Sequence, residues 1–373
     1  MSGRQQLSGI QILRGIAAVF VVIHHALEES LAVPIGVQSP DWLITAFASG
    51  VDLFFVISGF IMLYVSFPTG SAPLKPSSFL FRRTTRIYPL YWICCAGFIA
   101  FWTVGFHVFG FYASKPITAS FIIQSMLLIP TPAPLIVVSW TLSYEVFFYL
   151  IFAATLVFQS RVASALVSTF FITALLFVAY RLPDGTITEF LSNPIMLEFC
   201  FGLFLALAWA NGVRPTNFLW SLPAFLLIVA APLFIAPADT HSLPPLARTI
   251  AWGLPSVVVV AAFLSIAPGR NRWTRFAMPV GDASYVIYLT HPFVMVVYAK
   301  LIKSTALGGH SQLLVIPIVV GVSTALGIGV HIFIESPILT MVRNMSRSRR
   351  TPKFSETLPL PVLQGARDEH SPR

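Results

Sequence analysis

Charged residues are scarce in this chain. Asp, Glu, Lys and Arg make up 10% of its 373 residues, against about 25% in ordinary soluble domains. That shortage excludes a water-soluble globule as the main body. Cysteine is scarce as well: Cys94, Cys95 and Cys200 are the only three, and all fall in apolar stretches. They cannot build a disulfide framework and lack metal-ligand spacing, so they read as small buried hydrophobes and no metal site is expected. Outside the apolar segments, runs of Lys and Arg interleaved with aromatics are missing. The net charge of +9 sits in short loops and near the C-terminus, which is the pattern of membrane topology and argues against nucleic acid as a partner.

What the chain has instead is apolar sequence, 56% of its residues, with a mean hydropathy of +0.81. Apolar runs long enough to cross a bilayer fall at about 10–27, 43–66, 87–109, 138–158, 162–180, 194–211, 218–236, 247–266, 283–302 and 313–335. An eleventh run, 118–130, is short and leads into Pro130, Pro132 and Pro134, which suits a re-entrant or interfacial helix. The expected fold is therefore an all-α membrane protein, a bundle of about ten transmembrane helices plus one short re-entrant or interfacial helix. Residues 1–342 form the membrane domain. Residues 343–373 are basic and rich in Pro and Ser, and read as a disordered cytoplasmic tail. Arg14 interrupts the first run and no small-residue cleavage site follows it, so that run reads as a retained span.

Basic residues give the orientation. With the N-terminus inside, 18 of the 23 Lys and Arg residues lie on the inner side and 5 on the outer. That split puts both termini in the cytoplasm. Counting 118–130 as a full span would move the later arginine clusters outside.

The ionisable residues inside apolar runs are the candidates for function. Arg14, Asp52, Glu145, Glu198 and Glu335 lie within or at the ends of such runs. Each costs roughly 2.5–3.5 kcal/mol at a bilayer centre, so they must pair, protonate or line a wet cavity. Arg14 and His25 are eleven residues apart in the first run. A helix returns to within roughly 20° of its start over that interval, about 16 Å along its axis. His24 points about 80° away, which makes His25 the better catalytic candidate. With the N-terminus inside, Arg14 lies near the cytoplasm and His25 toward the far leaflet, two stations on one helix face rather than a salt bridge.

Four further segments carry candidates. In 81–92, Arg83 and Arg86 are three apart and Arg82 and Arg86 four apart, giving a basic helix face at the cytoplasmic mouth of the third span. Arginine forks bind phosphate oxygens in pairs of hydrogen bonds; lipid headgroups are the alternative ligand. In GVDLFFVISGF (50–60), Asp52 could hold the second ring nitrogen of His25 and fix its tautomer, while Ser58 and Gly59 allow close helix packing. In SWTLSYEVFFYL (139–150), Trp140 and Tyr144 suit the outer aromatic belt. Glu145 and Tyr149 share a face one turn deeper, where the glutamate could orient a sugar hydroxyl or pair with a cation. In ASYVIYLTHP (283–292), Tyr285, Tyr288 and His291 form a polar strip, and His291 is a candidate substrate contact.

Taken together, these motifs resemble the acyltransferase-3 family of integral membrane O-acyltransferases. The resemblance covers about residues 8–345. It is carried by Arg14 and His25 with ten residues between, GVDLFFVISGF, RRTTRIYP, WTLSYEVFFY and SYVIYLTHP, in that order. It implies transfer of an acyl group, usually acetyl, from cytoplasmic acyl-CoA to a carbohydrate hydroxyl in a bacterial inner membrane, with no permanently bound cofactor. In that family the position matching His25 is held essential, and those matching Arg14, Arg83 and Arg86 are associated with activity and with the donor. Short members include rhizobial exopolysaccharide acetyltransferases and modifiers of O-antigen or Nod factor; some longer relatives carry a fused periplasmic domain.

The resulting expectation is an O-acyltransferase in which His25, Asp52 and Glu145 are catalytic. Arg14, Arg82, Arg83, Arg86, Trp140, Tyr149 and His291 contact the acyl-CoA donor and a cell-surface or lipid-linked carbohydrate acceptor. His25 acts as general base, or carries the acyl group. The rival from another class is a carrier or flippase for a lipid-linked sugar, which would use the same charges and aromatics without acyl chemistry. A structural subunit of a polysaccharide-export complex is a third reading.

Overall fold

The computed structural model describes residues 7–30, 39–109, 118–214, 218–235, 243–266, 272–304 and 312–348. Among them every regular element is helical. In chain order the helices are α1 (Ser8–Ser30), α2 (Asp41–Phe47), α3 (Gly50–Ser66), α4 (Pro76–Phe109), α5 (Ala119–Met126), α6 (Trp140–Thr155), α7 (Arg161–Ala179), α8 (Thr186–Ser192), α9 (Leu197–Ala210), α10 (Ser221–Ile235), α11 (Pro245–Arg248), α12 (Leu254–Leu264), α13 (Arg272–Asp282), α14 (Ser284–Ser304), α15 (Gln312–Val330) and α16 (Ser336–Ser348). Helices are what apolar sequence must form in lipid, where each backbone group has to find its partner within the segment.

Eight of these helical segments are long and apolar enough to cross a membrane, and the number is ten when each of two bent pairs is counted as one span. All ten coincide with the ten apolar runs read from the sequence. Two runs are not straight. The sixth is α8 and the Pro194–Ala210 segment, bent by 44°, and the ninth is Phe276–Asp282 and Ser284–Leu301, bent by 76°. The sharper bend follows Pro279, which removes a helical N–H. It also follows Gly281, where an added Cβ would lie 2.1 Å from the Gln11 carbonyl oxygen of α1. A glycine is what lets the two backbones touch there. The short run near 118–130 forms α5, eight residues long and so too short to span. It is held to α4 by Tyr91, whose hydroxyl donates to the Ser125 carbonyl at 2.7 Å, and by Trp92, whose indole N–H donates to the Met126 carbonyl at 3.0 Å.

Helix α16 runs to Ser348, six residues past the expected start of the tail at 343. The rest of the expected tail, 349–373, lies outside the described residues.

Helix α1 sits centrally, packed against α2, α3, α12, α13, α14 and α15. Its buried face carries Leu13, Ala17, Ala18 and Val22, all fully covered. Helix α3 packs tightly along α9. A Cβ added at Gly59 would come 2.0 Å from the Phe199 carbonyl oxygen, and one at Gly202 would come 2.2 Å from that of Val56. Small residues at such crossings drive helix association in lipid, where apolar burial gives no preference between helices. Large apolar side chains such as Phe170, Phe234 and Phe333 are exposed on the outside, as a surface solvated by lipid requires.

Candidate functional site

A cavity opens between α1, α3, α4, α6 and α14, with about 790 Å³ of space between its lining atoms, open solvent at its mouth included. Its walls are mostly apolar, with Phe54, Phe55, Ile57 and Ile61 of α3 and Ile87 of α4. Into this wall project three arginines and one carboxylate: Arg14, Arg83, Arg86 and Glu145.

Neighbours on the same and on facing helices hold three of these charges. Arg14 Nη1 donates to Gln11 Oε1 at 3.1 Å, and Gln11 Nε2 donates in turn to Asp282 Oδ1 at 2.8 Å. The bend before α14 thus steadies the arginine on α1. Arg83 is buried and lies over two rings, with its guanidinium carbon 5.6 Å from the Phe79 centroid and 5.8 Å from that of Tyr149. Cation–π contact of this kind holds a guanidinium without neutralising it. Among the described residues neither Arg83 nor Arg86 forms an ion pair. Glu145 Oε1 accepts from Ser58 Oγ at 3.1 Å and from the Tyr149 hydroxyl. Three guanidiniums facing one carboxylate leave the cavity with excess positive charge, which is chemistry for an anion.

Through Tyr288 the cavity borders a second cluster. Tyr288 lines it, fixed by hydroxyl contacts to the Val138 carbonyl at 3.0 Å and Thr141 Oγ1 at 2.8 Å. Tyr288 stands edge-on to His291, centroids 6.0 Å apart, and His291 stacks on His25 at 5.3 Å. His291 is fully buried. Its Nδ1 lies 3.2 Å from the Ile287 carbonyl oxygen. A carbonyl only accepts, so Nδ1 carries the proton and Nε2 offers a lone pair, which has no partner among the described residues. His25 is half-buried, with Nδ1 3.1 Å from Glu28 Oε2. That contact places the Nδ1 proton toward the carboxylate and leaves Nε2 as the basic nitrogen.

Some sequence candidates come together here and others do not. Arg14, Arg83, Arg86, Glu145 and Tyr149 share the cavity, and His25 and His291 share the stack. Arg82 is exposed and does not line the cavity, because it points off the face shared by Arg83 and Arg86. Trp140 is also outside the lining, edge-on to Tyr144 at 5.9 Å. Glu145 lines the arginine cavity and makes no hydrogen bond to His25; Ser58 and Tyr149 are its partners. Asp52 does not hold His25 either. Its two oxygens take a forked pair of hydrogen bonds from Arg248, Nε at 3.0 Å and Nη2 at 2.8 Å, and its side chain is fully buried. The carboxylate on His25 is Glu28, three residues along the same helix.

The other two bilayer carboxylates differ from one another. Glu335 pairs with His331 at 2.6 Å across a π-helical turn. Glu198 is fully buried, and neither of its carboxylate oxygens has a hydrogen-bond partner among the described residues. Arg248 and Glu28 were not singled out from the sequence. Glu28 had a legible signal in its i+3 and i+4 spacing from the two histidines. Arg248 had only its position just inside an apolar run.

The acyltransferase domain family matches residues 7–332. The chain is 30% identical over 306 residues to the exopolysaccharide production protein ExoZ of Rhizobium meliloti (strain 1021), covering 78% of this chain and 89% of that one. No solved structure matches it.

Proposed function

Because the chain belongs to the acyltransferase-3 family, a family of membrane acyltransferases that matches it from residue 7 to 332, we propose that it moves an acyl group, acetyl in the first instance, from acyl-CoA to a hydroxyl of an exopolysaccharide or its lipid-linked precursor. The observation that carries the donor is the set Arg14, Arg83 and Arg86 in one apolar cavity, the last two without an ion pair among the described residues. Phosphates of coenzyme A suit the guanidinium forks. The thin pantetheine arm suits the apolar wall of α3. The name of the rhizobial relative supports an exopolysaccharide acceptor.

In this reading His25 is the general base, and Glu28 is the carboxylate that orients it. A neutral imidazole is the side chain suited to that task near pH 7. Nε2 of His25 removes the proton from the sugar hydroxyl as its oxygen attacks the thioester carbonyl. The C–S bond breaks, the imidazolium returns its proton to the leaving sulfur, and the products are the sugar ester and coenzyme A. His291, through its open Nε2, accepts a hydrogen bond from the acceptor sugar. The basic-residue split supports a bacterial inner membrane with both termini cytoplasmic, so that the arginine end of the cavity faces the donor.

The test is mass spectrometry of surface polysaccharide from a strain lacking the gene, complemented with the wild type or His25→Ala. The wild type restores the ester and His25→Ala does not. A carrier without acyl chemistry would restore it in both.

A further inference from the structure

The outer end of α1 holds a donor set that the acyl-transfer reading leaves partly unused. One ring nitrogen each of His24 and His25 and a Glu28 carboxylate oxygen all lie within 4.8 Å of one another. Glu28 Oε2 is 3.7 Å from His24 Nε2 and 3.1 Å from His25 Nδ1. The spacing is regular: His24 and Glu28 are one helical turn apart, and His25 lies between them on the same patch.

A second observation concerns the far side of His24. Its Nδ1 lies 2.8 Å from the Ile44 carbonyl oxygen of α2 and the residue is buried. Since the carbonyl can only accept, the proton is on Nδ1 and the Nε2 lone pair faces Glu28. A ring nitrogen pinned to a backbone carbonyl so that the other is free to ligate is the usual support of a metal-binding histidine.

From this geometry we propose that His24, His25 and Glu28 form a site for a divalent zinc ion, and that zinc there switches the acyltransferase off. Two imidazoles and one carboxylate with a fourth position open to solvent is an established donor set for zinc. Zinc bonds of about 2.0–2.2 Å draw the three donors closer than they lie now, which rotation of the half-buried His25 and Glu28 side chains supplies. To ligate through Nδ1, neutral His25 must move its proton to Nε2. The nitrogen that serves as base then becomes a donor, and the sugar hydroxyl loses its proton acceptor. Only this inhibitory consequence rests on the acyl-transfer reading; the metal site itself does not.

The experiment uses the tag-free full chain in detergent, stripped of metal and titrated with Co²⁺ as a spectroscopic probe and with Zn²⁺ by calorimetry. The expected result is one Co²⁺ per chain with the intense visible absorption of a four-coordinate site, displaced by Zn²⁺. The His24→Asn variant keeps a side-chain N–H for the Ile44 carbonyl while removing the ligand. It should lose that absorption and weaken Zn²⁺ binding by more than the roughly 10–100-fold typical for loss of a mere supporting contact. Acyl transfer in the wild type should stop at saturating Zn²⁺ and recover with EDTA, while metal-free His24→Asn should transfer at the wild-type rate and resist Zn²⁺. Equal Co²⁺ spectra in wild type and His24→Asn would overturn the site. Zn²⁺ bound to the wild type without loss of transfer would overturn the switch. A chain that binds Co²⁺ as expected but transfers no acyl group in either state would instead overturn the functional reading and leave the metal site standing.

Discussion

His25 and His291 stack on one another, their centroids 5.3 Å apart and their planes inclined by 22°. The contact joins the first span to the ninth beside Tyr288, which lines the arginine cavity. It sets a half-buried imidazole held by Glu28 against a fully buried one whose Nε2 has no partner among the described residues. If His291 contacts the acceptor, His291→Phe keeps the stack and removes that nitrogen. The expected effect is a rise in acceptor KM or a fall in kcat of roughly 10–100-fold, the range for an unmade buried hydrogen bond. The KM for acyl-CoA stays put, and steady-state kinetics with both substrates varied separates the two.

Arg83 and Arg86 make a different prediction. Charge-assisted hydrogen bonds contribute about 1.5–3 kcal/mol each, so Arg83→Gln or Arg86→Gln should raise the KM for acyl-CoA by roughly 10–100-fold with kcat little changed. Arg82→Gln, outside the cavity, should change neither. Equal effects at all three positions, or collapse of membrane insertion measured by protease accessibility, would make these arginines topology anchors instead.

The Asp52–Arg248 pair is expected to act on stability. Both carboxylate oxygens are engaged and the side chains are 0% and 13% exposed. Removing one partner strands a buried charge, which costs about 3–5 kcal/mol. Asp52→Asn and Arg248→Met should each lower the thermal midpoint in detergent sharply, and the double variant Asp52→Leu with Arg248→Met should regain much of the loss. A double variant as unstable as the sum of the singles would show that the pair is not what couples α3 to α11.

Helix packing gives a sharp contrast between two glycines. Gly59→Val forces a side chain to within 2.0 Å of the Phe199 carbonyl oxygen, whereas Gly329 has nothing within 4 Å of an added Cβ. Gly59→Val should abolish monodisperse protein in size-exclusion chromatography, and Gly329→Ala should behave as wild type.

The apolar runs made the ten spans legible because lipid leaves the backbone one solution. The arginine cavity was legible in part: Arg83 and Arg86 share a helix face by spacing, and Arg14 enters from the same end of the bundle. What spacing within one helix could not reveal was pairing across the fold. Asp52 and Arg248 are 196 residues apart, and nothing local to either marks the other. The bend at residue 283 depends on Gly281 meeting the backbone of α1, a tertiary contact. Glu28 lay in plain view at the right spacing from His25, but Asp52, opening the neighbouring span, was the more conspicuous carboxylate.

The most direct test of the account uses purified chain in detergent, with acyl-CoA binding and acyl transfer to a sugar acceptor measured on the same preparations of wild type and His25→Ala. The account expects both to bind acyl-CoA with equal Kd, while His25→Ala loses transfer by roughly 10²–10⁴-fold, the contribution of a positioned general base. Transfer by His25→Ala at the wild-type rate would contradict it.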